Sequence, residues 1–240
     1  MISRSLSRSI VDDPTRSLNV MRKGSPNVSG GNILSIGSPY NGGYIGGYIS
    51  HTANGVPTHV LIISPLAAQS PAMQQVVATA GVSVSTFDGA LNHAETLADS
   101  IPQPQALWVQ ENLNNIAYGG YSDWYVPSRN ELDILFWNLK PSTLSNNNTG
   151  WFPNEHSIPA RPDTSRSETI PGQTDVLIFR MPDGAEALNQ NSYWSSSRSS
   201  TGDYTYSQNL NVNFVAMRQS LNTSLTQILY VRPMRREALP

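Results

Sequence analysis

"GGYSDWYVPSRNEL", residues 119–132, runs two glycines, three aromatics, an acid and a proline straight into a helix start. Ser128 and Glu131 stand at the S-x-x-E spacing of a capping box, in which each side chain satisfies a free backbone N–H of the first turn. Leu132, Leu135, Phe136 and Leu139 follow at i, i+3, i+4 and i+7, which gathers them on one helix face, and Pro141 ends the run. Pro127 fixes the geometry of the lead-in, and Trp124 is expected to pack behind it. The stretch reads first as a joint that locks a short helix onto a sheet, with a ligand site as the alternative.

Upstream, the spacing predicts two more helices. One covers 89–99, with Ala90, Leu91, Ala94, Leu97 and Ala98 inward and Asp88 as its cap. The other covers about 105–117, with Ala106, Val109, Leu113, Ile116 and Ala117 on one face. Earlier still, "THVLIISP" (58–65) is a continuous apolar run of strand length, expected to be buried on both faces. In "GGYIGGYIS" (42–50), Tyr44, Ile45, Tyr48 and Ile49 predict two very short strand pieces, with glycines that allow close backbone approach.

Downstream, 142–172 is rich in Asn, Ser, Pro and Thr without periodicity, and reads as a long loop. "DVLIFRM" (175–181), the turn "PDG" (182–184) and "AEALNQ" predict a hairpin. In "YTYSQNLNVNFVA" (204–216), Tyr204, Tyr206, Leu210, Val212, Phe214 and Ala216 share one face, expected to be buried. Asn209, Asn211 and Asn213 share the other. "LTQILYVRP" (225–233) is the expected last strand.

Composition narrows the function classes. Charged residues are only 13% of the 240, and uncharged polar residues and glycine fill the gap, which suits a β-rich or loop-rich fold. A net charge of −2 argues against nucleic acid as a partner, and no apolar run is long enough for membrane insertion. The absence of cysteine excludes disulfides, thiolate metal sites and cysteine nucleophiles. Arg4, Arg8, Arg16, Arg22 and Lys23 crowd the start, and the next basic residue is Arg129. Residues 1–34 are therefore read as an extended basic arm, frayed or ordering on a partner protein, ahead of a folded domain at 35–240. The arm faintly resembles an organellar presequence, but Asp12, Asp13 and Pro14 spoil that pattern, and it is read as retained.

The chemistry-bearing residues form no obvious catalytic set. His51, His59, His93 and His156 are scattered without ligand spacing, and His59 is expected to be a hydrogen-bonded histidine of the core. Ser195, Ser196 and Ser197 beside Trp194 lack the strand–turn–helix elbow of a serine nucleophile. No catalytic residue, metal or cofactor is assigned.

"GGYSDWYVPSRNEL", "YWSSS" (193–197) and "YVRPMRR" (230–236), supported by "FDGALNH" (87–93), together resemble one family. It is the domain named for the C-terminal module of the Legionella collagen-like adhesin, which also occurs in tailed-phage proteins and is related to C-type lectin-like folds. The resemblance covers roughly 40–238. It implies an α+β, C-type lectin-like domain with antiparallel β-sheets, two to three short helices and long loops. Trp124, Pro127, Ser128, Glu131, Tyr193, Trp194 and Arg232 would be its structural motif, with the serines satisfying backbone groups in a bend. The segment after "YWSSS" departs from the family by lacking a glycine. The calcium-and-sugar motifs of true C-type lectins are not recognisable either, so calcium-dependent sugar binding is not implied. Formylglycine-generating enzymes share the fold, but their oxidation needs cysteines.

The expectation is a non-enzymatic virion protein of a tailed phage that docks other virion proteins through its arm. As a homo-oligomer it would bind a host-cell surface glycan or protein, with Arg198, Asp203, Asn209, Asn211 and Asn213 as contact residues and the 142–172 loop as their neighbour; Tyr204 and Tyr206 are further candidates whose spacing places them in the core. The alternatives are a purely structural virion component (decoration, collar or baseplate) and a bacterial surface adhesin module.

Overall fold

A computed structural model describes residues 34–146, 152–161, 166–188, 192–209 and 218–240, with backbone alone for 218–223. Val60, Leu61, Ile62 and Ile63 are each at most 2% exposed, so the strand they form is covered on both faces. This strand, β3 (His59–Ile63), lies inside a four-stranded antiparallel sheet. The order is β1 (Pro39–Tyr40), β2 (Gly43–Ile49), β3 and β7 (Met234–Ala238). A second antiparallel sheet holds β4 (Ser192–Arg198), β5 (Thr205–Asn209) and β6 (Arg218–Thr223). Three short helices, α1 (Gly89–Ala98), α2 (Pro104–Val109) and α3 (Arg129–Leu139), lie between the sheets in sequence. The chain is thus a mixed α/β domain with antiparallel sheets. No helix among the described residues is long and apolar enough to cross a membrane.

The glycine-rich stretch makes one strand, β2, with a bulge between Ile45 and Gly47, rather than two pieces. Its glycines let α3 lie directly on it. A Cβ at Gly46 would stand 2.4 Å from Leu135, and one at Gly47 would stand 2.4 Å from Ile134. The Asn138 amide then donates to the Gly46 carbonyl at 2.9 Å. Leu132, Leu135, Phe136 and Leu139 bury against Ile49, Leu61 and Met234 in the main core. The other side of the sheet is covered by Leu34, Ile36 and Leu239, packed on Ile45, Tyr48 and Val60. Of the arm at 1–34, all but Leu34 lies outside the described residues.

Several expectations need correction. Helix α1 buries its polar face: Asn92, His93 and Thr96 are inside, while Leu91 is 48% exposed. The Asn92 amide group bonds Ser85 N, Ser85 O and Ser196 Oγ, and this specific pairing overrides the apolar pattern. Helix α2 passes at Gln110–Asn114 into a wider π-type turn and stops, leaving Ile116 65% exposed. Residues 175–188 form no hairpin. Leu177–Phe179 is a single 3-10 turn, and the backbone closes on itself where Gly184 N–H meets Arg180 O and Glu186 N–H meets Ile178 O. Gly184 is required there, since a Cβ would fall 2.4 Å from the Arg180 carbonyl oxygen.

The segment 225–233 makes only isolated bridges, Leu229 with Met73 and Tyr230 with Tyr193. Pro233 has no N–H for a ladder, and pairing with β3 begins at the next residue, Met234. At β5 the expected burial of Tyr204 and Tyr206 is not found. Thr205, Ser207 and Gln208 are buried, Tyr206 is half-buried and Tyr204 is 44% exposed. The rings this sheet buries, Tyr193 and Trp194, come from β4, and β5 places hydroxyls and an amide inside beside Ser195, Ser197 and Arg198. The alternation from Leu210 to Ala216 lies outside the described residues.

Candidate functional site

The quoted stretch folds as a joint. Ser128 Oγ accepts from Glu131 N–H, and Glu131 Oε2 accepts from Ser128 N–H at 2.7 Å, completing the capping box. The same oxygen accepts from Gly89 N–H at 3.1 Å, and Oε1 accepts from the Tyr125 hydroxyl at 2.8 Å. One buried carboxylate therefore holds the starts of both α1 and α3. Burial raises its pKa, opposed by the bonds it accepts from Ser128 and Tyr125. Trp124 is 1% exposed, and its indole N–H donates to Tyr118 O at 3.0 Å. Pro127 is buried beside it, and Tyr125 exchanges backbone bonds with Met234 of β7.

The "YWSSS" segment is equally internal. Tyr193 is 1% exposed and its hydroxyl donates to Gln69 at 3.0 Å; fully buried Trp194 donates from its ring N–H to Met73 O at 2.8 Å. Ser197 Oγ accepts from Arg129 N–H and donates to Ser85 O, while Ser196 Oγ accepts from Asn92. His93 lines a cavity with Ser195 and Ser196 but bonds neither. Arg232, fully buried, donates to Ser64 O and pairs with Glu186 at 2.8 Å.

The expected contact residues divide. Arg198 is corrected outright: it is 3% exposed, donates to Gly202 O, Gln75 and Gln103, and faces no solvent. Asp203 is exposed at the β4–β5 turn, and Asn209 is half-buried. Asn211 and Asn213 lie outside the described residues.

What the sequence reading missed is a cluster around Arg129. The Arg129 guanidinium lies over the Phe152 ring at 4.8 Å and the Tyr206 ring at 5.1 Å. Phe152 and Tyr206 meet edge to face at 5.4 Å. All three are half-buried, and exposed Tyr204 and Asp203 precede Tyr206 in the β4–β5 turn. This joins the 142–172 loop, through Phe152, to β5. A cation held over partly exposed rings offers apolar and charged contacts together. The available signal was Arg129 itself, the first basic residue after Lys23, placed at the start of α3.

The histidines also converge more than their spacing suggests. The His51 and His59 rings meet at a tilt, 4.3 Å apart, His156 stacks on Phe87 at 4.0 Å, and Asp88 lies 3.8 Å from His51. Arg236 bonds both Asp88 and His51. Burial, then the Arg236 charge, lowers His51 to about 4. Among the described residues no group of three or more His, Asp or Glu side chains is placed to hold a metal ion.

Comparison of the chain with protein-family models, with curated proteins and with solved structures found no match.

Proposed function

We propose that this chain is a non-enzymatic recognition protein of C-type lectin-like architecture, carried on the particle of a tailed phage. Its ligand is a host-cell surface structure, a glycan or protein, and its contact surface is centred on Arg129, Phe152 and Tyr206 with Tyr204 and Asp203. The observation that carries this reading is the cation–aromatic cluster where the long loop meets β5. Partly exposed aromatics and arginine are the residue types that anchor interfaces, because they bring large contact area with few rotors to freeze.

Other features support the reading. The hydroxyls of Ser196 and Ser197 are engaged in the internal bonding of a bend rather than with a base. The antiparallel sheets, three short helices and long irregular segments match what the family resemblance implies. The basic arm supplies a segment for docking other virion proteins. The test is adsorption of the full-length protein to a panel of bacterial cells and to a glycan array. Saturable binding to one cell type or glycan class is expected, and its absence across both sets would favour a structural role.

A purely structural virion component is the second reading. Its support is the exposed apolar Val76, Val77 and Ile101, with Val76 N–H and the Ile101 carbonyl both bonded to the Gln103 side chain. Such a patch suits contact with a neighbouring subunit, including a second copy of this chain.

A further inference from the structure

Arg198 differs from the other buried arginines. Among the described residues, Arg161 and Arg166 share Asp133, Arg232 pairs with Glu186, and Arg235 pairs with Asp123. Arg198 is just as buried, yet the groups it touches are the neutral oxygens of Gly202, Gln75 and Gln103. The carboxylate that acts on it, Asp99, does so without contact and is occupied by the Thr79 N–H and hydroxyl. A buried cation without a counter-ion is costly in a protein interior.

Next to it stands a second anomaly. His93 is 7% exposed, and neither of its ring nitrogens meets a hydrogen-bond partner in the protein. In any protonation state the imidazole carries at least one N–H donor. His93 and Arg198 line one cavity with Ser196, whose hydroxyl accepts from Asn92 and keeps its own proton to give. The cavity is small, with room for about one particle of water size.

We propose that this cavity is a binding site for a single halide-sized anion, chloride under ordinary conditions, held by Arg198, His93 and Ser196. The donors supply positive charge and N–H or O–H bonds without a competing carboxylate in the lining. The small volume favours a monatomic anion over sulfate or phosphate. Bound there, the anion ties α1 to β4, since His93 comes from the helix and Ser196 and Arg198 from the strand. The site is internal and independent of the recognition surface.

The test uses the full chain, crystallised from gluconate and soaked in bromide. An anomalous peak beside Arg198 and His93 is expected; a site holding water alone, with no bromide peak, would overturn the proposal. In solution, replacing gluconate with chloride or bromide at constant ionic strength should raise the melting temperature by roughly 3–5 °C once the halide reaches about ten times its Kd. Arg198→Gln and His93→Phe should each remove that rise. Should Arg198→Gln fail to fold, His93→Phe and the wild-type soak still decide. Equal wild-type melting in halide and gluconate, or a rise retained in His93→Phe, would contradict the site.

Discussion

Asn114 and Trp124 exchange two hydrogen bonds: the Asn114 amide donates to the Trp124 carbonyl and accepts from its N–H, each at 2.9 Å. One side chain thus does what a neighbouring strand would do, and it pins the end of the α2 segment to the joint before α3. Trp124 packs with Val109, Leu113 and Val231 behind this clasp. Trp124→Ala should therefore cost about 3–5 kcal/mol, and Asn114→Ala about 1–3 kcal/mol from unpaired backbone groups. Urea unfolding of both variants measures this. A Trp124→Ala protein of unchanged stability but lost ligand binding would turn the joint into a site.

The Glu131 carboxylate serves Ser128, Gly89 and Tyr125 together. Glu131→Ala leaves three buried donors short of an acceptor and should cost at least about 3 kcal/mol. Ser128→Ala removes one cap and should cost about 1 kcal/mol. Equal losses in the two variants would mean that the bonds to Gly89 and Tyr125 contribute nothing to stability.

Stability should fall with acid. Burial lowers His93 to about 4, and burial with the Arg236 charge does the same to His51. The unfolded chain binds these protons near pH 6.5, and the folded chain resists them until about pH 4. Unfolding is therefore favoured progressively as pH drops through that window, and the histidine contribution is flat above about pH 7. His93 alone accounts for on the order of 3 kcal/mol by pH 4. Urea midpoints at pH 7.5, 5.5 and 4.5 in gluconate should decline in that order, and less steeply in His93→Phe. A flat profile would contradict burial of the neutral imidazole.

Features set by neighbours in sequence were legible before the fold. The Ser128–Glu131 box, the Asp88 cap and the buried run at Val60–Ile63 depend on spacing alone, and all three form. Features set by distant partners were not. The inward face of α1 is chosen by Ser85 and Ser196, which bond Asn92, and not by its alanines and leucines. The strand-like "DVLIFRM" becomes a turn because the backbone of Gly184 and Glu186 folds onto it. Arg198 follows an exposed-looking serine run, yet it is enclosed by glutamines from two other segments. The Arg129 cluster needs Phe152 and Tyr206, distant in sequence from it and from each other, so no local pattern reveals it.

The proposed function places recognition on the surface formed by Arg129, Phe152 and Tyr206. The most direct measurement pairs cell adsorption with the melting temperature of the double variant Tyr204→Ser, Tyr206→Ser. Tyr204 is 44% exposed, and Tyr206 contributes mainly its ring contacts to Arg129 and Phe152. The stability cost should stay near 1 kcal/mol, a fall of roughly 2–4 °C. Adsorption should drop at least about tenfold, the equivalent of 1.4 kcal/mol of binding free energy. Unchanged adsorption at unchanged melting temperature would contradict the account and move recognition elsewhere on the molecule.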